Sequence, residues 1–132
     1  MSYSLSAKNR ASSLALSDNK RYELFLSKVA EYGEIWSLAN EEGWVTVVTD
    51  DGENCLPVWP HPEYALEWVN GDWADCSPRM VPLDVWLERW TEGLEQDETL
   101  LVVLPNLKES AVLVEPWQLD EDLRAAVDEL NA

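Results

Sequence analysis

Leu83, Trp86, Leu87, Trp90 and Leu94 fall at i, i+3, i+4, i+7 and i+11. Residues at those intervals share one face of an α-helix, so the segment carries a stripe of five large apolar side chains. Water cannot cover such a stripe, so the chain must supply a surface for it to lie on. Two more segments make the same demand. Ser17 or Asp18 offers an N-cap, Tyr22, Phe25, Leu26 and Val29 follow at helical spacing, and Gly33 supplies a stop. Further on, Pro116 and Asp120 open a helix whose Leu119, Leu123, Ala126, Val127 and Leu130 share a face.

The segments between these helices read as strands. Ile35 to Leu38, Trp44 to Thr49 and Cys55 to Val58 are separated by Asn40-Glu41-Glu42-Gly43 and by Asp50-Asp51-Gly52, which are turn sequences. Three short antiparallel strands are expected. Pro60 and Pro62 end the third, because proline cannot donate to a ladder. A short helix from Pro62 to Val69 follows, closed by Gly71. Residues 72–82 read as a loop, with a short extended piece at Arg79 to Val81. Leu100 to Leu104 is an unbroken apolar run before Pro105, as in a buried central strand. Asn106 to Ser110 turns the chain, and Ala111 to Val114 returns beside that run. Strands follow one another through turns, with no βαβ alternation. The expected fold is α+β: a small antiparallel sheet of about five strands, with amphipathic helices packed mainly on one face. A length of 132 residues fits one domain. Residues 1–16, rich in Ser and Ala, are expected to be a flexible arm, and residues 17–132 a single α+β domain.

Charge narrows the partners. The chain has 26 acidic and 9 basic residues, a net charge of -17. Residues 1–30 hold five basic and two acidic residues, net +3, and the rest is net -20. An acidic field repels phosphate, which argues against nucleic acid and against anionic membrane surfaces. It suits a soluble surface, or one that steers a basic protein. No apolar run approaches the roughly 20 residues that span a bilayer. Cys55 and Cys76 form no CxxC pair and read as reduced thiols, so a cytoplasmic location is expected.

Few residues suggest chemistry. Eight tryptophans are present. Helical spacing accounts for Trp86 and Trp90 as core. Trp59, Trp68 and Trp73 instead surround a proline-rich loop and are the candidate binding residues, together with His61 between Pro60 and Pro62. His61 is the only histidine. A Cys-His nucleophile would need it beside Cys55 or Cys76, yet no motif flanks either thiol, and acidic surroundings raise a thiol pKa. Asp50, Asp51, Glu53 and Asn54 fail the spacing of a calcium loop. Asp120, Glu121 and Asp122 suit the positive end of a helix dipole. The sequence has no Gly-rich phosphate loop, GxSxG or HExxH motif. No catalytic residue, metal site or cofactor is assigned.

FLSKVAEYGEIWSL, Gly43-Trp44, Asp51-Gly52 and Leu56 to Pro60 together resemble the bacterial family called domain of unknown function 2750. The resemblance continues through Ala65, Trp73, Pro78, LDVWLERW and Val102 to Pro105, and covers about residues 18 to 130. The chain departs from that pattern in having Gln96-Asp97-Glu98 where a glycine-containing turn is expected. The resemblance implies a small α+β protein and brings no activity. The expected function is a non-enzymatic acidic protein-binding or adaptor domain. The alternatives are an immunity-type protein neutralising a basic toxin, a carboxylate- or metal-dependent enzyme, and a self-associating structural protein.

Overall fold

A computed structural model describes residues 17–41, 43–48, 52–66, 68–69, 73–104 and 112–131. The expected arm at 1–16, the stop at Gly71 and the turn at Asn106 to Ser110 lie outside the described residues, as do Asp50 and Asp51.

Helix α1 spans Asp18–Tyr32. The Ser17 hydroxyl accepts from the Lys20 N–H at its start. Gly33, at φ 70, closes it with an N–H to Val29 O. Among the described residues seven strands follow: β1 (Glu34–Asn40), β2 (Gly43–Trp44), β3 (Val47–Val48), β4 (Asn54–Val58), β5 (Ser77–Pro82), β6 (Leu100–Val103) and β7 (Val112–Val114). They form two sheets, ordered β2-β1-β5 and β3-β4-β6-β7. An antiparallel bridge between Trp36 and Trp59 joins them, with N–H···O distances of 2.8 Å in both directions.

The α+β class holds, but the sheet differs from the expected one. The segment from Gly43 to Val48 serves both sheets. The chain bends at Val45 and Thr46, with Val45 N–H bound to Leu38 O, and β3 leaves to pair with β4. Residues 77–82, expected to be mostly loop, make a full edge strand against β1 in register from Glu34↔Pro82 to Ala39↔Ser77. An edge has one free side, so Pro78 and Pro82 cost it no ladder bond there. The pair β4–β6 is parallel. Parallel neighbours need a long crossover, and the chain between them supplies one through α2 (Pro62–Leu66), β5 and the helical residues 83–96. Helix α2 ends at Leu66, earlier than expected, and single-turn bonds from Trp68 and Val69 continue the chain.

Helix α3 runs through three consecutive pieces, Leu83–Val85, Trp86–Trp90 and Thr91–Gln96. The middle piece is a π turn, in which the Thr91 N–H reaches back to Trp86 O. The Leu87 carbonyl loses that donor and accepts from Arg124 Nη2 at 3.3 Å. Arg124 belongs to α4 (Pro116–Leu130). This helix begins at Pro116, so Asp120 sits beyond the first turn and is not a dipole cap. Asp120 instead accepts from Thr91 Oγ1 at 2.9 Å and pairs with Arg124. The opening of α4 is capped from outside: the Trp117 N–H donates to Glu95 Oε1 of α3 at 2.7 Å.

Helix α1 packs on β1, β6 and β7, and α4 touches both α1 and α3. One core fills the space between them. Phe25 and Val29 of α1, Ile35 and Leu38 of β1, Leu101 and Val103 of β6, Trp86 of α3 and Leu119 and Leu123 of α4 are all buried in it. Those residues are the stripes and runs on which the sequence pattern rests.

Candidate functional site

Two groups of tryptophans flank the core. The first is the predicted one. Trp59, Trp68 and Trp73 come together, with ring centroids 6.3 Å apart for the first pair and 5.8 Å for the second. Burial divides them. Trp59 is fully buried, because its backbone bridges the two sheets and holds it inside. Only Trp68 and Trp73 reach the surface in part. His61 is also buried, and its Nδ1 accepts from the Glu63 N–H at 3.1 Å, which caps the start of α2. Trp59 and His61 therefore present no side chain to a partner. This cluster pins the loop after β4 and offers two half-buried rings.

The second group lies between β2 and α3. Trp86 is fully buried and stacks on Trp90, with centroids 5.1 Å apart and planes 12° apart. The π turn explains the stack: its wider turn brings residues four apart closer to alignment than an α-turn does. Trp44 meets Trp90 edge to face at 4.8 Å. Arg79 of β5 lies over the other ring, its Cζ 5.6 Å from the Trp44 centroid.

Beside Trp44 and Trp90 opens a groove of about 390 Å³, within the range of small-ligand or side-chain pockets. Leu56 and Leu94 add apolar wall, and Arg89, Asp97 and Thr99 supply polar rim. Gly93 also lines it. A Cβ built there meets nothing within 4 Å, so the groove exists partly because that position lacks a side chain. The far end is shaped by the stop of α3. Thr99 N–H bonds Leu94 O and Glu98 N–H bonds Glu95 O, the paired bonds of a Schellman motif. Its left-handed position, φ 55, is held by Glu98 and not by glycine.

The sequence pattern assigns Trp90 to the core and does not single out Trp44, Arg89, Gly93 or Thr99 as site residues. One signal was available. A glycine inside a strong helix pattern costs about 1 kcal/mol relative to alanine, so Gly93 marks a place where space is kept.

The thiols point away from nucleophilic chemistry. Burial, and then the Glu53 carboxylate, push Cys55 above its usual range. Burial, the Asp75 charge and a 3.7 Å contact to Asp75 Oδ1 do the same for Cys76. Among the described residues, no group of three or more His, Cys, Asp or Glu side chains converges as a metal site. No helix among them is long and apolar enough to cross a membrane.

Comparison with known proteins yields few matches. No curated protein matches the chain. Among solved structures, Anabaena Tic22, described as a protein of protein transport, is similar at 16% identity and a TM-score of 0.41. The match covers 71% of this chain and 49% of that one, so the chain spans about half the length of the Tic22 structure. A family model, "Protein of unknown function (DUF2750)", matches residues 22–123. The chain therefore belongs to the DUF2750 family.

Proposed function

We propose that this chain is a non-enzymatic protein-binding domain that takes an apolar side chain of a basic partner into the groove between Trp44 and Trp90. The groove carries the reading. Partly buried aromatic walls around a space of about 390 Å³ are what a binding anchor needs, and aromatic residues dominate the energetics of protein interfaces. The net charge of -17 supports a basic partner, whose approach it would speed. Trp68 and Trp73 are secondary contacts in this reading. It includes a cytoplasmic location, supported by the free, buried state of Cys55 and Cys76.

The test is capture from a native lysate by the tagged full chain and by its Gly93→Leu variant. The leucine grows into open space on a helix, so the fold should persist, as circular dichroism will check. A basic protein held by the wild-type chain at low salt, released as salt rises and not held by the variant, supports the reading. Equal retention by the variant, or no capture by either chain, overturns it.

A further inference from the structure

A second, larger groove runs along the outer side of α1 and α4. It encloses about 700 Å³ and has a floor of small and apolar residues: Leu26, Ala30, Ala125, Ala126 and Leu130, with Ser27 beside them. Its acids are Glu23, Asp122 and Glu129. Asp122 is already engaged, since Tyr22 Oη donates to it at 2.5 Å and Gln118 Nε2 at 3.0 Å. Glu23 and Glu129 have no ion-pair partner among the described residues. An occupant should therefore be small-residue-rich and apolar on one side, and should bring cations without acids.

Residues 1–16 meet each requirement. They contain Lys8 and Arg10 and no acid, and half of them are Ser or Ala, with Leu5, Leu14 and Leu16 among the rest. They also join the chain at the right place. Glu23, Leu26, Ser27 and Ala30 form one stripe of α1, and one turn back along that stripe is Asn19, two residues from Ser17. Reach is ample: sixteen residues extend to about 50 Å, whereas a 15-residue helix such as α1 is about 22 Å long.

We infer that residues 1–16 dock in the α1–α4 groove of their own chain, with Lys8 and Arg10 meeting Glu23 and Glu129. This surface is separate from the Trp44–Trp90 groove, so either proposal can fail alone. Docking brings the arm's two cations against acids of the groove and covers its apolar floor. The tether favours the chain's own arm, since a short linker raises the effective concentration to the millimolar range.

The test is paramagnetic broadening in the full chain, with a nitroxide on a Ser6→Cys variant. Both native thiols are buried, so the new one is the reactive site. The expected result is selective broadening of the Ala30, Ala125 and Ala126 amides. It should be lost in Lys8→Glu/Arg10→Glu and regained when Glu23→Lys/Glu129→Lys is added, because the swap restores opposite charges. Glu23 and Glu129 are exposed, so the swap leaves the core untouched. No selective broadening, or no rescue by the swap, overturns the inference. A mixture of spin-labelled chain and isotope-labelled unmodified chain reports contacts between molecules. Broadening of the same amides in that mixture assigns the groove to a second copy and also overturns it.

Discussion

Trp59, Trp68 and Trp73 meet at the end of β4, and Trp44, Trp86 and Trp90 meet between β2 and α3. Each cluster has one fully buried indole and two partly buried ones. They differ in what lies next to the half-buried rings. Around Trp59 the chain folds over itself: the strand bridge, the His61 cap of α2 and the turn at Trp68 all tie the loop to the core. Beside Trp90 a turn of helix later stands Gly93, with nothing in front of it, and a groove opens. A tryptophan's burial therefore says how firmly it is held. Whether it serves a surface depends on whether its neighbours fill the adjoining space.

The largest expected effect separates the clusters by stability. Trp59→Ala should cost about 3–5 kcal/mol in denaturant unfolding, as for a fully buried large aromatic. Trp44→Ala, at the groove wall, should cost about 2 kcal/mol, one edge-to-face aromatic pair plus the buried part of the indole. Similar losses for the two would break the distinction drawn between a structural cluster and an open one.

Glu98 sharpens the contrast from the groove's far end. A non-glycine residue in the left-handed region is strained by about 1–2 kcal/mol. Glu98→Gly should therefore raise stability by about 1 kcal/mol, with a higher urea midpoint as readout. No gain would mean that Glu98 earns its place through contacts of its own at the rim.

Tyr22 supplies a control distant from both clusters in role. Burial, then the hydrogen bond to Asp122 and its charge, push the Tyr22 phenol above its ordinary value near 10. Below pH 10 the phenol is neutral in both folded and unfolded chains. Above it the unfolded chain loses the proton and the folded one keeps it, so stability should fall as pH rises past 10. Tyr22→Phe should flatten that fall and cost about 1 kcal/mol at neutral pH. This variant loses stability without touching the groove. If it also loses the partner, capture is reporting stability and the groove reading fails.

The stripes of α1, α3 and α4 and the run at Leu100 to Leu104 were legible because burial on one face leaves a period in the sequence. The hairpins β3–β4 and β6–β7 were legible for a related reason, since a turn must separate them. What the pattern did not carry is non-local. Nothing within Ser77–Pro82 announces that β1 lies beside it, and its two prolines argue for a loop until an edge is known. The parallel pairing of β4 and β6 depends on where the crossover sets the chain down. The opening of α4 at Pro116 was legible, but its cap, Glu95, comes from another helix, so nothing near Pro116 in the sequence shows that Asp120 to Asp122 lie beyond the first turn. The π turn leaves no mark in the sequence, because Trp86 and Trp90 fit an ordinary helical stripe as well as a widened one. The site followed the same rule: Trp44, Trp90 and Gly93 are united only by the packing of β2 against α3.

The smallest expected effect concerns Arg79, which holds the Trp44 wall from behind. Arg79 pairs with Ser37 and Trp44 pairs with Ala39, on opposite sides of the central strand β1. Paired residues project to the same side of a sheet, and Ser37 and Ala39 are small enough for the guanidinium to cross above them to the ring. Arg79→Ala should remove a partly exposed cation–π contact worth about 0.5 kcal/mol, which is roughly twofold in partner affinity if Trp44 loosens. A double-mutant cycle of Arg79→Ala with Trp44→Ala distinguishes the routes. If Arg79 acts through the ring, its effect should vanish once Trp44 is gone. An effect that persists would mean that the guanidinium meets the partner itself, which would be unexpected for a basic one and would argue for an acidic group on the occupant of the groove.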